Sequence, residues 1–150
     1  MSLNIGDRIP LFTLEDQDGN HFDINSVMGK KVFVVYFYPK DFTPGCTAQA
    51  CYFRDHYEEF TDAGIRVIGI SADNVAKHER FARKYQLPFT LLSDPAKEVS
   101  RLFGVKNHLF GLIPGRETFI FDKEGILLTR FVSNRASRHI KEVLKTIKSN

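Results

Sequence analysis

Two cysteines are all the chain has, too few for the disulfide framework that holds small secreted domains together. A reducing compartment and a redox use of the pair suit them better. No apolar run approaches the ~18 residues of a membrane span. The opening MSLNIGDRIP has neither the basic nor the apolar stretch of a secretion signal, so a cytoplasmic location is expected. No basic block or stripe stands out either. The net charge is +3, with 21 Lys and Arg spread among 18 Asp and Glu, so nucleic acid is not an expected partner. The densest basic stretch, Arg135 to Lys148, alternates with apolar residues and reads as the wet face of a closing helix. Internal repeats, low-complexity tracts and linkers are also missing.

What is present suffices for one domain over residues 1–150. At this length, with 43% hydrophobic residues, the chain can bury a single core and hardly two. Leu11–Leu14 and His21–Ile24 flank Asp18-Gly19, the pattern of a hairpin. Val32–Tyr38 and Arg66–Ser71 are continuous apolar runs that read as buried strands, and Phe89–Leu92 reads as a short one. A helix running from the first cysteine to about Asp62 is closed by Gly64. Asp73-Asn74 caps a second helix through Tyr85, and Asp94-Pro95 opens a third to Phe103. Val105–Gly115 reads as an irregular apolar loop, Thr118–Phe121 and Ile126–Phe131 as a hairpin, and Ser137–Lys148 as the last helix. Strands alternating with helices predict a mixed sheet covered on both faces, an α/β fold.

The chemistry is concentrated between Tyr38 and Asp55, YPKDFTPGCTAQACYFRD, which holds both cysteines. Pro39 ends the strand, and Lys40–Gly45 must turn. Cys46, Ala50, Phe53, Tyr57 and Phe60 then fall on one helical face. Thr43 before Pro44 is a hydroxyl cap with proline at the first helical position. Cys46 is thereby placed in the first turn of a helix that leaves the end of a core strand. Amides without intrahelical partners and the positive end of the helix dipole favour an anion there. A thiol so placed ionises more readily, and the thiolate is the nucleophilic and oxidisable form.

Pro39, Thr43 and Cys46, spaced P-x-x-x-T-x-x-C, resemble the active-site signature of the peroxiredoxins. The longer match is similar to the peroxiredoxin Q, or bacterioferritin-comigratory protein, branch, whose second cysteine lies five residues after the first. It continues through IGDRIPLFTLEDQDGN, SADNVAKHERFARKYQLPFTLLSD and PGRETFIFDKEG. Gln49 departs from the Glu of many relatives and leaves the site less acidic.

The resemblance implies a thioredoxin-like fold with an N-terminal hairpin extension and an atypical two-cysteine peroxidase acting on hydrogen peroxide and organic hydroperoxides. Cys46 would attack the peroxide and Cys51 would join it in a disulfide that thioredoxin or a similar dithiol reopens. Arg116, in PGRETF, would hold the thiolate and polarise the peroxide. Thr43 would hydrogen-bond both, Gly45 and Cys46 would offer amides to the substrate, and Pro39 would keep water out. A monomer is implied, with no metal, haem or flavin.

Other residues read more plainly. Arg54 suits an ion pair with Asp55 or Glu58, and Asp41 a surface turn. Cys46, Cys51 and His56 diverge on a helix, so they do not form a metal site. His78 and His108 have no evident partner. Two further readings stay open. One is a thiol–disulfide oxidoreductase on the same fold, against which the missing Cys-x-x-Cys argues. The other is a non-enzymatic holdase or interaction module using Leu109–Ile113.

Overall fold

A computed structural model describes residues 3–105, 107–108, 113–114, 116–132 and 145. Its centre is β3 (Val32–Phe37), where Phe33 to Phe37 are all buried. A strand buried on both faces needs apolar residues at every position, and VFVVYF supplies them. Phe33, Val35 and Phe37 enter one core, and Val34 and Tyr36 enter the other, as the alternation of a strand requires.

On one side β3 pairs in parallel with β4 (Ile65–Ser71), which pairs in parallel with β5 (Thr90–Ser93). On the other side it pairs antiparallel with β8 (Glu117–Phe121), followed by β9 (Leu127–Val132). The hairpin of β1 (Thr13–Asp16) and β2 (His21–Asp23) adds antiparallel to β5, giving the order β2-β1-β5-β4-β3-β8-β9. Its turn is held by the Asp16 carboxylate, which accepts from the amides of Asp18 (2.9 Å) and Asn20 (3.0 Å).

Gly69 faces Tyr36 across the β3–β4 register. A β-carbon on residue 69 would stand 2.7 Å from the Tyr36 ring. Glycine is therefore what lets this tyrosine lie flat against the sheet and stack on Phe53 at 5.0 Å.

The helices divide between the two faces. Ala50 and Phe53 of α1 (Pro44–Asp55), Phe60 of α2 (Tyr57–Asp62) and Phe81 of α3 (Val75–Tyr85) line the core that holds Tyr36. Val99 and Phe103 of α4 (Glu98–Phe103) line the opposite core with Phe33 and Phe37. Each of these side chains other than Ala50 contributes about 1.5–3 kcal/mol on burial. The mixed sheet covered on both faces is thus borne out.

Besides strand ends shifted by one or two residues, three expectations from the sequence differ. The helix expected to run to Asp62 is two helices, separated at His56; no proline or glycine marks the break. The helix expected from Asp94-Pro95 starts at Glu98, after Lys97 in the left-handed region. Asp94 instead reaches forward, its carboxylate accepting from the amides of Val99 (3.4 Å) and Ser100 (3.0 Å). The stretch expected as an irregular loop carries a short antiparallel pair, β6 (Asn107–His108) and β7 (Ile113–Pro114). Positions 106, 109–112 and 115 of that loop and the expected helix Ser137–Lys148, Lys145 apart, lie outside the described residues.

Candidate active site

Because β3 and β8 run antiparallel, the end of one lies beside the beginning of the other, with Phe37 paired to Glu117. The chain leaves β3 through Tyr38–Thr43 into α1. Arg116 immediately precedes β8. Topology alone therefore brings Arg116 to the first turn of α1 across 70 positions of sequence.

Cys46 is buried, and its Sγ accepts a hydrogen bond from Arg116 Nη2 at 3.3 Å. The other arm of the guanidinium, Nη1, donates to Gln49 Oε1 at 2.7 Å. Gln49 lies one turn beyond Cys46 on the same helix and is fully buried. Arg116 is 8% exposed, so this positive charge works in a largely dry setting. Gln49 fixes the fork without neutralising it, and the carboxylate of the next residue, Glu117, is engaged by Arg130 Nε at 2.7 Å. The first-turn amides and the guanidinium together place positive potential at the sulfur.

Gly45 makes room for this contact. A β-carbon there would stand 3.0 Å from Arg116 Nη2.

Thr43 occupies the cap position, with Pro44 beginning the helix. Its side chain does not cap, however. The hydroxyl donates backwards to the Lys40 carbonyl at 2.8 Å, the local competition to which Ser and Thr are prone. Pro39 is half-buried just past the end of β3. Cys51 is half-buried, free, and on the same helix as Cys46. Two residues five apart on a regular helix have Cα atoms roughly 8.7 Å apart. A disulfide needs about 4.4–6.8 Å. The cysteines cannot bond while α1 is intact.

Sequence reasoning missed a second cluster behind this turn. Asp41, expected at the surface, is buried. Its carboxylate accepts from the Tyr38 hydroxyl at 2.6 Å and meets His78 Nδ1 at 2.5 Å. Its amide donates to Asp73 Oδ2 at 2.6 Å. His78, without an evident partner in the sequence, is fully buried, and its Nε2 reaches the Leu92 carbonyl at 3.0 Å. Burial, and next the Asp41 carboxylate, push the Tyr38 phenol well above its ordinary range, so it stays a donor. Only helical spacing in the run NVAKHERF put His78 on a buried face; its partner lies 37 residues away.

Asp41, Asp73 and His78 present ligand atoms within 4.8 Å of one another. Both nitrogens of His78 already face oxygens, and both oxygens of Asp41 are engaged by Tyr38 and His78. The cluster is closed by its own hydrogen bonds rather than open to a cation.

His56 stacks on Tyr52 at 4.2 Å and meets Glu59 at 3.3 Å. Arg54 pairs with Asp55 at 3.0 Å, as expected, and also donates to the Tyr85 carbonyl. The side chain of His108 lies outside the described residues. No helix among the described residues is long and apolar enough to cross a membrane.

Residues 5–130 match the AhpC/TSA family. The chain is 49% identical over 148 residues to the chloroplastic peroxiredoxin Q of Populus jackii, covering 98% of this chain and 69% of that one. Its likeness to the chloroplastic peroxiredoxin Q of Sedum lineare is 50% over 145 residues, covering 96% and 77%. Among solved structures, peroxidoxin BcpB of Mycobacterium tuberculosis superposes with a TM-score of 0.91 at 34% identity, covering 98% of this chain and 97% of that one. Peroxiredoxin Q of Xanthomonas campestris superposes with a TM-score of 0.84 at 30% identity, covering 93% and 90%. The thioredoxin-like sheet extended by an N-terminal hairpin is therefore shared architecture, and the chain belongs to the AhpC/TSA family as a thiol peroxidase of its peroxiredoxin Q branch.

Proposed function

We propose that Cys46 is the thiol that attacks peroxide and Cys51 the thiol that resolves the product. The observation that carries the first assignment is the 3.3 Å contact from Arg116 Nη2 to Cys46 Sγ. The Cys46 thiolate attacks one peroxide oxygen, forming an S–O bond as the O–O bond breaks. Sulfur is oxidised to sulfenic acid, and the other oxygen takes a proton and leaves as water or alcohol. Arg116 and the amides of Gly45 and Cys46 stabilise the charge that develops on the oxygens. The Thr43 hydroxyl spends its proton on Lys40 O, which leaves its lone pairs to accept from the peroxide O–H. Pro39 shields the sulfur from water. The substrates are hydrogen peroxide and organic hydroperoxides.

Cys51 then attacks the sulfenic sulfur. The S–S bond forms, the S–O bond breaks, and the oxygen leaves as water. Thioredoxin or a similar dithiol reopens the disulfide by exchange, itself becoming oxidised. For this to happen, the first turns of α1, from Cys46 to about Phe53, unwind in every cycle. We take the protein to act as a monomer in the reducing setting of the cytoplasm.

Stopped-flow reduction of hydrogen peroxide by the pre-reduced protein, with mass spectrometry of both cysteines, tests this. One equivalent consumed with a Cys46–Cys51 disulfide as product is the expected result. Oxidation that begins at Cys51 would reverse the two roles.

A further inference from the structure

We propose that the buried pair Asp41–His78 is a latch that holds the Cys46 turn in its peroxide-reactive form, and that release of the latch governs how fast Cys46 and Cys51 join. This rests on the roles just assigned to the two cysteines. The reaction needs two shapes of one segment. Oxidation needs an intact first turn, since only there does Cys46 meet Arg116. Disulfide formation needs that turn undone, since intact helix holds the cysteines too far apart.

The loop that feeds the turn is Tyr38–Thr43, and it is tied down away from the sulfur. Asp41 takes the Tyr38 hydroxyl on one oxygen and His78 Nδ1 on the other. The carbonyl of Leu92 can only accept, so His78 Nε2 carries a proton and is anchored to β5 at 3.0 Å. Its Nδ1 meets the Asp41 carboxylate at 2.5 Å, with both side chains fully buried. The Asp41 amide adds a bond to Asp73 Oδ2. Every one of these anchors belongs to the loop itself, to β5, or to the segment that opens and forms α3. None touches the thiol.

Phe42, the next residue, shows what the latch works against. Its φ is +66°, a left-handed backbone that a bulky residue avoids. Edge-on contact with Phe81 at 5.1 Å helps hold it there, although the ring is 39% exposed. Lifting the loop relieves that backbone. The intact turn is thus a loaded arrangement, kept shut by buried polar bonds and opposed by its own backbone. Asp41 and His78 are positioning residues, and their effect on the two chemical steps has opposite sign.

The test uses the full chain with His78→Gln and, as the near-isosteric change, Asp41→Asn. Stopped-flow traces at rising hydrogen peroxide separate the second-order oxidation of Cys46 from the first-order formation of the disulfide. Oxidation should slow several-fold while disulfide formation quickens several-fold. Amide exchange over 44–50 in the reduced protein, read without peroxide, should quicken as well. Should either variant fail to fold, Tyr38→Phe removes one bond to Asp41 and should show the same split at smaller amplitude. Unchanged exchange over 44–50, or two rates that fall together, overturns the latch. Absence of Cys46 oxidation in the unmodified protein would instead overturn the assigned roles, while the exchange measurement still judges the latch.

Discussion

The guanidinium of Arg116 is held at 2.7 Å by the amide oxygen of Gln49, and its second arm reaches the sulfur one turn earlier at 3.3 Å. Lysine has no fork with which to make both contacts. Arg116→Lys should therefore keep the fold and lower the second-order rate of Cys46 oxidation by roughly 10²-fold, the usual effect of losing one donor to a developing oxyanion. Stopped-flow kinetics with hydrogen peroxide measure it. An unchanged rate constant would remove Arg116 from the site.

Gly45→Ala separates stability from rate. Alanine in the first turn favours the helix by up to about 1 kcal/mol. Its β-carbon would crowd Arg116 Nη2 at 3.0 Å and displace a donor already fixed at two points. Oxidation of Cys46 should slow about tenfold, since small misplacements cost heavily at a reacting centre, while the urea midpoint holds or rises. A variant as fast as the parent would show that the guanidinium yields freely.

Exchanging each cysteine for serine should split the cycle. Cys46→Ser should consume no peroxide. Cys51→Ser should complete one turnover and stop at a sulfenic or over-oxidised Cys46. In the parent protein the oxidised form should lose helix signal and exchange faster at Ala48–Tyr52 than the reduced form, because the bond requires α1 to open. Matching exchange in both redox states would contradict the unwinding.

Gly69→Ala tests the packing beneath the site. The added carbon meets the Tyr36 ring at 2.7 Å in a strand buried on both faces. Overpacking of this kind costs typically 1–3 kcal/mol, and denaturant unfolding should show it. A midpoint within error of the parent's would mean that the ring can move.

Much of this was legible in the chain because it is local. The run VFVVYF, the Pro44 helix start and the cysteine spacing each declare themselves within a few residues. Arg116 was legible only through the likeness of PGRETF to a known site, since no local rule ties it to Cys46. Contacts across the fold escaped. Asp41 has the composition of a turn and sits in one, yet its carboxylate is claimed by His78 from α3. The Asp94-Pro95 pair looked like a helix start because Asp94 is indeed a cap, but one that reaches five and six residues forward. Thr43 looked like a side-chain cap, and its hydroxyl took the nearer carbonyl instead.

The 70 positions between Cys46 and Arg116 also order the birth of the site in time. At about 5–20 residues per second, the cysteine is synthesised roughly 4–14 s before its arginine. Until β8 joins β3, the nascent chain carries a thiol that no guanidinium has met. On the roles proposed above, the ribosome would therefore release a cysteine not yet met by its arginine, and the full site would arrive only with closure of the sheet.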